Sequence, residues 1–284
     1  MVRRPLISAC ELQELLEPPA RSDPPRAPPA VLDVRWELGS GPRRDQYEQG
    51  HIPGSVFVDL DHQLSSPPGV RGRHPLPHTE RFGRDMRAAG VWNAHMVVVY
   101  DAATSMSAAR AWWLLRYFGH RDVAVLDGGL AAWVQAGYPL ERGSPRVKPG
   151  DFVPSAGRMP VLDARAAARL ATAGVLLDAR APERFRGEVE PVDRVAGHIP
   201  GARSRPTAEN VDSAGRFHTS GFLRTAFEAL GIGSKAAVGA YCGSGITAAH
   251  ELLALEIAGY RAALYPGSWS EWIEDSRRPV ARGD

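Results

Sequence analysis

Short apolar runs alternate along this chain with segments in which apolar residues recur at helical spacing. Val31–Val34, Val97–Tyr100 and Ala124–Leu126 read as buried strands in the first half, and Ala108–Phe118 and Leu130–Ala136 as helices. The second half repeats the alternation. Val175–Asp178, Ala237–Tyr241 and Ala262–Tyr265 are strand-like, with helices near Gly221–Leu230 and Ile246–Ala258. Ser8–Leu16 reads as an amphipathic helix ahead of the first strand. Strand, helix, strand in succession predicts an α/β fold, each half a parallel β-sheet flanked by helices on both faces.

The two halves also match in detail. Val31-Leu32-Asp33-Val34-Arg35 and His51-Ile52-Pro53-Gly54 return as Leu176-Leu177-Asp178-Ala179-Arg180 and His198-Ile199-Pro200-Gly201. Val97 to Asp101 matches Ala237 to Cys242, and Gly128-Gly129-Leu130 with Trp133 matches Gly267-Ser268-Trp269 with Trp272. Four blocks in one order indicate a duplicated domain. Between the copies, Glu141 to Arg158 is rich in glycine and proline and has no periodicity, as expected of a linker. The predicted division is residues 1–142, linker 143–157 and residues 158–284. A second proline-rich stretch, Pro18–Pro29, reads as an extended surface loop.

Composition narrows the function classes. The 284 residues are 44% hydrophobic and 23% charged, with a formal net charge of +2. That balance belongs to a globular protein and gives no basis for nucleic acid or membrane as a partner. No stretch of about 18 apolar residues occurs, so no transmembrane helix is expected, and the first 16 residues lack the apolar core of a signal peptide. Two cysteines, Cys10 and Cys242, exclude a disulfide framework and a four-cysteine zinc site. Left free, they fit a reducing, cytoplasmic setting.

The chemistry concentrates in Tyr241-Cys242-Gly243-Ser244-Gly245-Ile246-Thr247. An apolar strand ends at Cys242, a glycine-rich turn follows, and a helix begins near Thr247. The C-terminal ends of parallel strands are where ligands bind. Gly243 and Gly245 allow tight curvature, so successive amides can converge, and the helix start adds its own free N–H groups. Such a ring stabilises an anion, and a cysteine thiolate is one. The matching position in the first copy is Asp101, followed by Ala102 and Ala103, so one copy keeps a thiol loop and the other does not. A cysteine phosphatase would carry arginine six residues after the cysteine; Ala248 stands there.

Taken together, both His-Ile-Pro-Gly motifs, Arg110-Ala111-Trp112-Trp113, Gly119-His120, Asp127-Gly128-Gly129, the cysteine loop and Gly267-Ser268-Trp269 resemble the tandem-domain rhodanese-type sulfurtransferases. The resemblance covers nearly the whole chain. It implies two rhodanese-like domains, the first inactive and the second catalytic. It also implies a sulfur atom carried on Cys242 as a persulfide. The donor would be a small molecule, thiosulfate or 3-mercaptopyruvate. The acceptor would be a thiol, a thioredoxin-like protein or cyanide. The alternative is a relay or regulatory module that takes sulfur from a protein donor. No metal or organic cofactor is implied. The resemblance gives substrate contacts to the loop at Gly243, Gly245, Ile246 and Thr247, and to Arg184, whose guanidinium can clamp an oxyanion. The mercaptopyruvate branch has a second arginine where Val192 stands here, which leaves Arg194 as a substitute. The same branch implies a relay of Ser244, His74 and Asp61, with Asp59 an alternative to Asp61, since an imidazole can move a proton near neutrality. Gly243 and Ser244 match that branch; thiosulfate-preferring members carry Arg and Lys there. His51, His198, Trp133, Trp272 and the pairs Asp33-Arg35 and Asp178-Arg180 are expected to be structural.

Overall fold

The computed structural model describes residues 4–17 and 27–284; most of the proline-rich stretch 18–29 and the first three residues lie outside that range. The chain forms two compact units. The first comprises residues 1–64, 77–158 and 213–216, and the second residues 65–76, 159–212 and 217–284.

Each unit is an α/β layer structure around one parallel sheet. In the first unit the strands lie in the order Leu6–Ile7, Val123–Leu126, Val97–Tyr100, Ala30–Asp33, Val56–Phe57, every neighbouring pair parallel. In the second the order is Ala263–Leu264, Val238–Tyr241, Val175–Asp178, Arg203–Ser204, again all parallel. The central strands are buried along their full length, as strands covered on both faces must be. The helix Ala9–Leu16 is fixed at its start by a capping box: Ser8 accepts from the Glu11 amide and Glu11 from the Ser8 amide.

The duplication is written in the hydrogen bonds. Arg35 Nε meets both carboxylate oxygens of Asp33 at 3.1 and 3.0 Å, and Arg180 meets Asp178 at 3.0 and 3.1 Å. The Tyr100 hydroxyl accepts from the Ile52 amide at 3.2 Å, and the Tyr241 hydroxyl from the Ile199 amide at 3.1 Å. His51 and His198 each bond a carbonyl through Nδ1, at 2.9 and 2.8 Å, and stack on Tyr47 and Phe185 respectively. Trp133 and Trp272 are buried and donate to the carbonyls of Pro139 and Pro279. Both histidines and both tryptophans are therefore parts of the scaffold.

Residues 143–158 are a strap on the first unit rather than a solvated spacer. Phe152 is buried, and the amides of Gly150, Ser155 and Arg158 donate to the carbonyls of Arg87, Phe118 and Tyr117 at 2.8, 2.7 and 3.0 Å. No helix among the described residues is long and apolar enough to cross a membrane.

Candidate active site

Cys242 stands at the C-terminal end of the strand Val238–Tyr241, in the second unit, with only 1% of its surface exposed. The loop beyond it is pinned on both sides. Behind it, the helix Thr247–Ile257 is buried almost all round, so its axis cannot shift without opening the core. In front, the amides of Trp269 and Ser270 donate to the carbonyls of Cys242 and Gly243, both at 2.9 Å. The Cys242 amide donates to Ser268 Oγ at 3.0 Å, and the Ser268 hydroxyl donates to the Tyr265 carbonyl at 2.9 Å while lying 4.0 Å from the sulfur. The Gly245 amide donates to Cys242 Sγ at 3.1 Å. The sulfur thus lies against the turn, held by the Gly245 amide.

The first unit shows what such a turn holds when it carries no thiol. The Asp101 carboxylate accepts from the amides of Ala103, Ser105, Ser107 and Ala108 at 2.9 to 3.2 Å, and from the Ser107 hydroxyl at 3.2 Å. Burial raises its carboxyl above the ordinary carboxylate range, and those amides oppose the rise. One copy of the turn thus closes on a carboxyl group and the other on a thiol.

Two residues that meet the cysteine loop come from far away in sequence. His74 Nδ1 lies 2.8 Å from Ser244 Oγ. Arg73 forms an ion pair with Asp193. Arg184 is held by Glu190, with Nε at 3.1 Å and Nη2 at 2.7 Å, and by Asp193 at 3.0 Å. Glu190 is itself buried; burial pushes its carboxyl up, but Arg184 and the amides of Asp193 and Val192 outweigh this and hold it below the usual value. Ile246 and Thr247 form the start of the helix behind the loop. Arg194 pairs with Glu274 at 3.0 Å and with the carbonyl of Ile273, just past the helix Ser268–Trp272. Asp61 belongs to the first unit, where its carboxylate accepts from Trp36 Nε1 at 2.9 Å and burial raises it. Asp59 caps the short helix Leu60–Gln63, accepting from the amides of Asp61 and His62.

Ser268 and Arg73 escaped the sequence reading. The sequence signal at Ser268 is a serine where the first copy has Gly129; in the structure Gly129 has φ +56° and Ser268 φ +53°. A residue held in that region against steric preference marks a function for its side chain, here the cap on the Cys242 amide. A cavity of about 580 Å³ in the first unit, lined by Leu16, Val31, Trp92 and Val147 among others, holds none of the candidate residues.

The helix behind the loop carries a fully buried carboxylate, Glu251. Burial pushes it up to about 7, against Arg205, whose Nε is 3.9 Å away, and Asn210, which donates at 2.6 Å. The folded protein therefore keeps a proton that the unfolded chain has already released. The resulting stability is complete below about pH 4.5 and is lost as the pH rises through about 7. Glu251→Gln removes that dependence. Its stability relative to the parent is expected to grow by roughly 2–3 kcal/mol between about pH 5 and 8, read from denaturant unfolding. A difference that stays constant with pH would mean an ordinary carboxyl.

The model of the rhodanese-like domain matches twice, over residues 11–136 and 162–275. The chain belongs to the rhodanese family of tandem-domain sulfurtransferases. A Pseudomonas aeruginosa relative, assigned provisionally as a 3-mercaptopyruvate sulfurtransferase, is 49% identical over 264 residues, covering 89% of this chain and 92% of that protein. A Mycobacterium tuberculosis relative, assigned provisionally as thiosulfate sulfurtransferase SseB, is 44% identical over 289 residues, covering 98% and 97%. The crystal structure of SseA from Escherichia coli, described for its rhodanese fold and the catalytic mechanism of 3-mercaptopyruvate sulfotransferases, superposes with a TM-score of 0.78 at 34% identity, over 95% of this chain and all of that one. In rhodanese terms, the second copy of the duplicated fold has Cys242 in its strand-to-helix turn, and the first has Asp101 at the matching position.

Proposed function

We propose that this sulfurtransferase uses Cys242 as its single nucleophile, with 3-mercaptopyruvate as the preferred donor. The carrying observation is the buried cysteine at the end of a parallel strand, before a glycine-rich turn into a helix, with its sulfur bonded by the Gly245 amide. The thiolate attacks the donor sulfur. With 3-mercaptopyruvate the C–S bond breaks, its electron pair stays on carbon, and protonation gives pyruvate. With thiosulfate the S–S bond breaks and sulfite leaves. Either way Cys242 becomes a persulfide. An acceptor thiol, a thioredoxin-like protein or cyanide then attacks the outer sulfur and regenerates the thiolate, which makes the kinetics ping-pong. This cycle needs no metal or organic cofactor, and a thiolate regenerated at each turnover suits a reducing cytoplasm.

Ser244 and His74 are the proton-handling pair beside the nucleophile, 2.8 Å apart, and Asp61 is the proposed third member of their relay. Residues 158–284 are proposed as the catalytic domain and residues 1–142 as the inactive one, with 143–157 between. The neutral pair Gly243 and Ser244 favours a donor that needs a proton relay over a dianion.

The test measures kcat/KM for 3-mercaptopyruvate and thiosulfate on one preparation with one acceptor. A ratio well above one in favour of 3-mercaptopyruvate is expected; a ratio favouring thiosulfate would refute the donor assignment. Mass spectrometry after exposure to either small donor is expected to show one added sulfur on Cys242. Sulfur gained only from a protein donor would identify a relay instead.

A further inference from the structure

The segment Gly72-Arg73-His74 lies in the first half of the chain but belongs to the second compact unit, and it is fastened to the cysteine turn at successive residues. Gly72 has φ +94°, and a Cβ there would lie 2.7 Å from the Gly267 carbonyl oxygen and 2.8 Å from Ser270 Oγ, so the backbone approaches as closely as glycine permits. The Arg73 amide donates to Ser270 Oγ at 3.1 Å, and Ser270 in turn donates its amide to Gly243. His74 bonds Ser244.

The Arg73 guanidinium is placed with equal definition. Asp193 bridges two arginines, Oδ1 taking Arg73 and Oδ2 taking Arg184. The two guanidiniums meet over Gly243. A Cβ on that residue would lie 2.8 Å from Arg73 Nη2 and 3.7 and 3.8 Å from the two Nη atoms of Arg184. The acids beneath are sealed off, with 3% of Asp193 and 4% of Glu190 exposed, while 29% of Arg73 and 14% of Arg184 remain open. The cluster is therefore polarised. Its carboxylates face inward and its positive edges face Gly243, which has no side chain to cover them.

We propose that Arg73, paired with Arg184 across Asp193, is a substrate-binding residue that grips the oxyanion end of the sulfur donor while the donor sulfur points at Cys242. The ligand chemistry is a group with two or more oxygens on one centre, a carboxylate or a sulfonate-like head, which two guanidiniums can hold together. This rests on the reading of Cys242 as the sulfur acceptor. Asp193 is a positioning residue that sets the spacing of the two clamps.

The experiment compares the parent with Arg73→Ala and Arg73→Lys. It measures steady-state kinetics with 3-mercaptopyruvate and with thiosulfate, inhibition by pyruvate, and the rate at which cyanide discharges a preformed persulfide. Arg73→Ala is expected to raise the donor KM about 10- to 100-fold, the scale of a lost charge-assisted hydrogen bond, with kcat changed far less. Pyruvate inhibition should weaken in parallel, Arg73→Lys should recover part of the loss, and cyanide discharge should be unchanged. A KM effect confined to 3-mercaptopyruvate and pyruvate identifies the carboxylate as the ligand; an equal effect on thiosulfate identifies any oxyanion. Donor KM values within about twofold of the parent, or a fall in kcat alone, would overturn the proposal. Should Arg73→Ala lose its cooperative melting, Arg73→Gln carries the same comparison, because it keeps a stem and hydrogen-bond donors. A parent protein that gains no sulfur on Cys242 would instead defeat the reading of the nucleophile, which separates the two failures.

Discussion

Cys242→Ser is expected to lower sulfur transfer by about 10⁴-fold or more, the scale seen when a covalent nucleophile is removed. The reason lies in the turn. A serine oxygen fits where Sγ now accepts from the Gly245 amide at 3.1 Å, so the fold should keep its stability within about 1 kcal/mol. A serine hydroxyl is a weak nucleophile unless a base stands against it, and the imidazole of His74 is bonded to Ser244. The variant should also gain no sulfur mass from 3-mercaptopyruvate. Cys10 is the control: it is exposed, lies in the first unit and contacts Glu14 at 3.7 Å, so Cys10→Ser should transfer sulfur at the parental rate. Near-parental turnover by Cys242→Ser, or its loss in Cys10→Ser, would remove Cys242 from the mechanism.

The sequence carries the centres of the fold better than its edges. The inner strands are continuous apolar runs because both faces of a parallel sheet are covered, and Val97–Tyr100 and Val175–Asp178 are found where their apolarity ends. The edge strand Leu6–Ile7 has two residues and no period to detect. The helix Ala164–Ala173 buries Ala164, Ala167 and Ala171, residues too small to stand out as an apolar run. At the site, the thiol loop was legible because its chemistry is local: strand, cysteine, glycines and helix follow one another. Arg73 was not, because a charged residue in a loop has no periodicity, and 170 positions separate His74 from the Ser244 that it meets. That pairing came from the resemblance alone. For Arg194, sequence nearness to position 192 gives a place along a loop but not the partner of its guanidinium, which in the structure is Glu274.

Gly245 is where the fold and the chemistry depend on the same atoms, so Gly245→Ala should be the most damaging conservative change in the loop. The residue has φ +81°, a conformation that costs an L-residue about 1–2 kcal/mol on its own. A Cβ there would also lie 2.4 Å from the Pro266 carbonyl oxygen and 3.1 Å from Pro266 C, both backbone atoms that cannot swing aside as a side chain does. The loop must move instead, and the atom that moves with it is the Gly245 amide that holds Cys242 Sγ. A displacement of about 1 Å at a reacting group costs on the order of 10²-fold in rate. Thermal unfolding should report a loss of about 3 kcal/mol, or several degrees in Tm. Gly243→Ala is the informative contrast. The closest atom to its new methyl would be Arg73 Nη2, the end of a flexible side chain, so its melting temperature should stay near the parent's. Measured side by side, Gly245→Ala should lose both Tm and kcat. If Gly245→Ala kept kcat within about threefold of the parent, the amide would not be what holds the sulfur for attack.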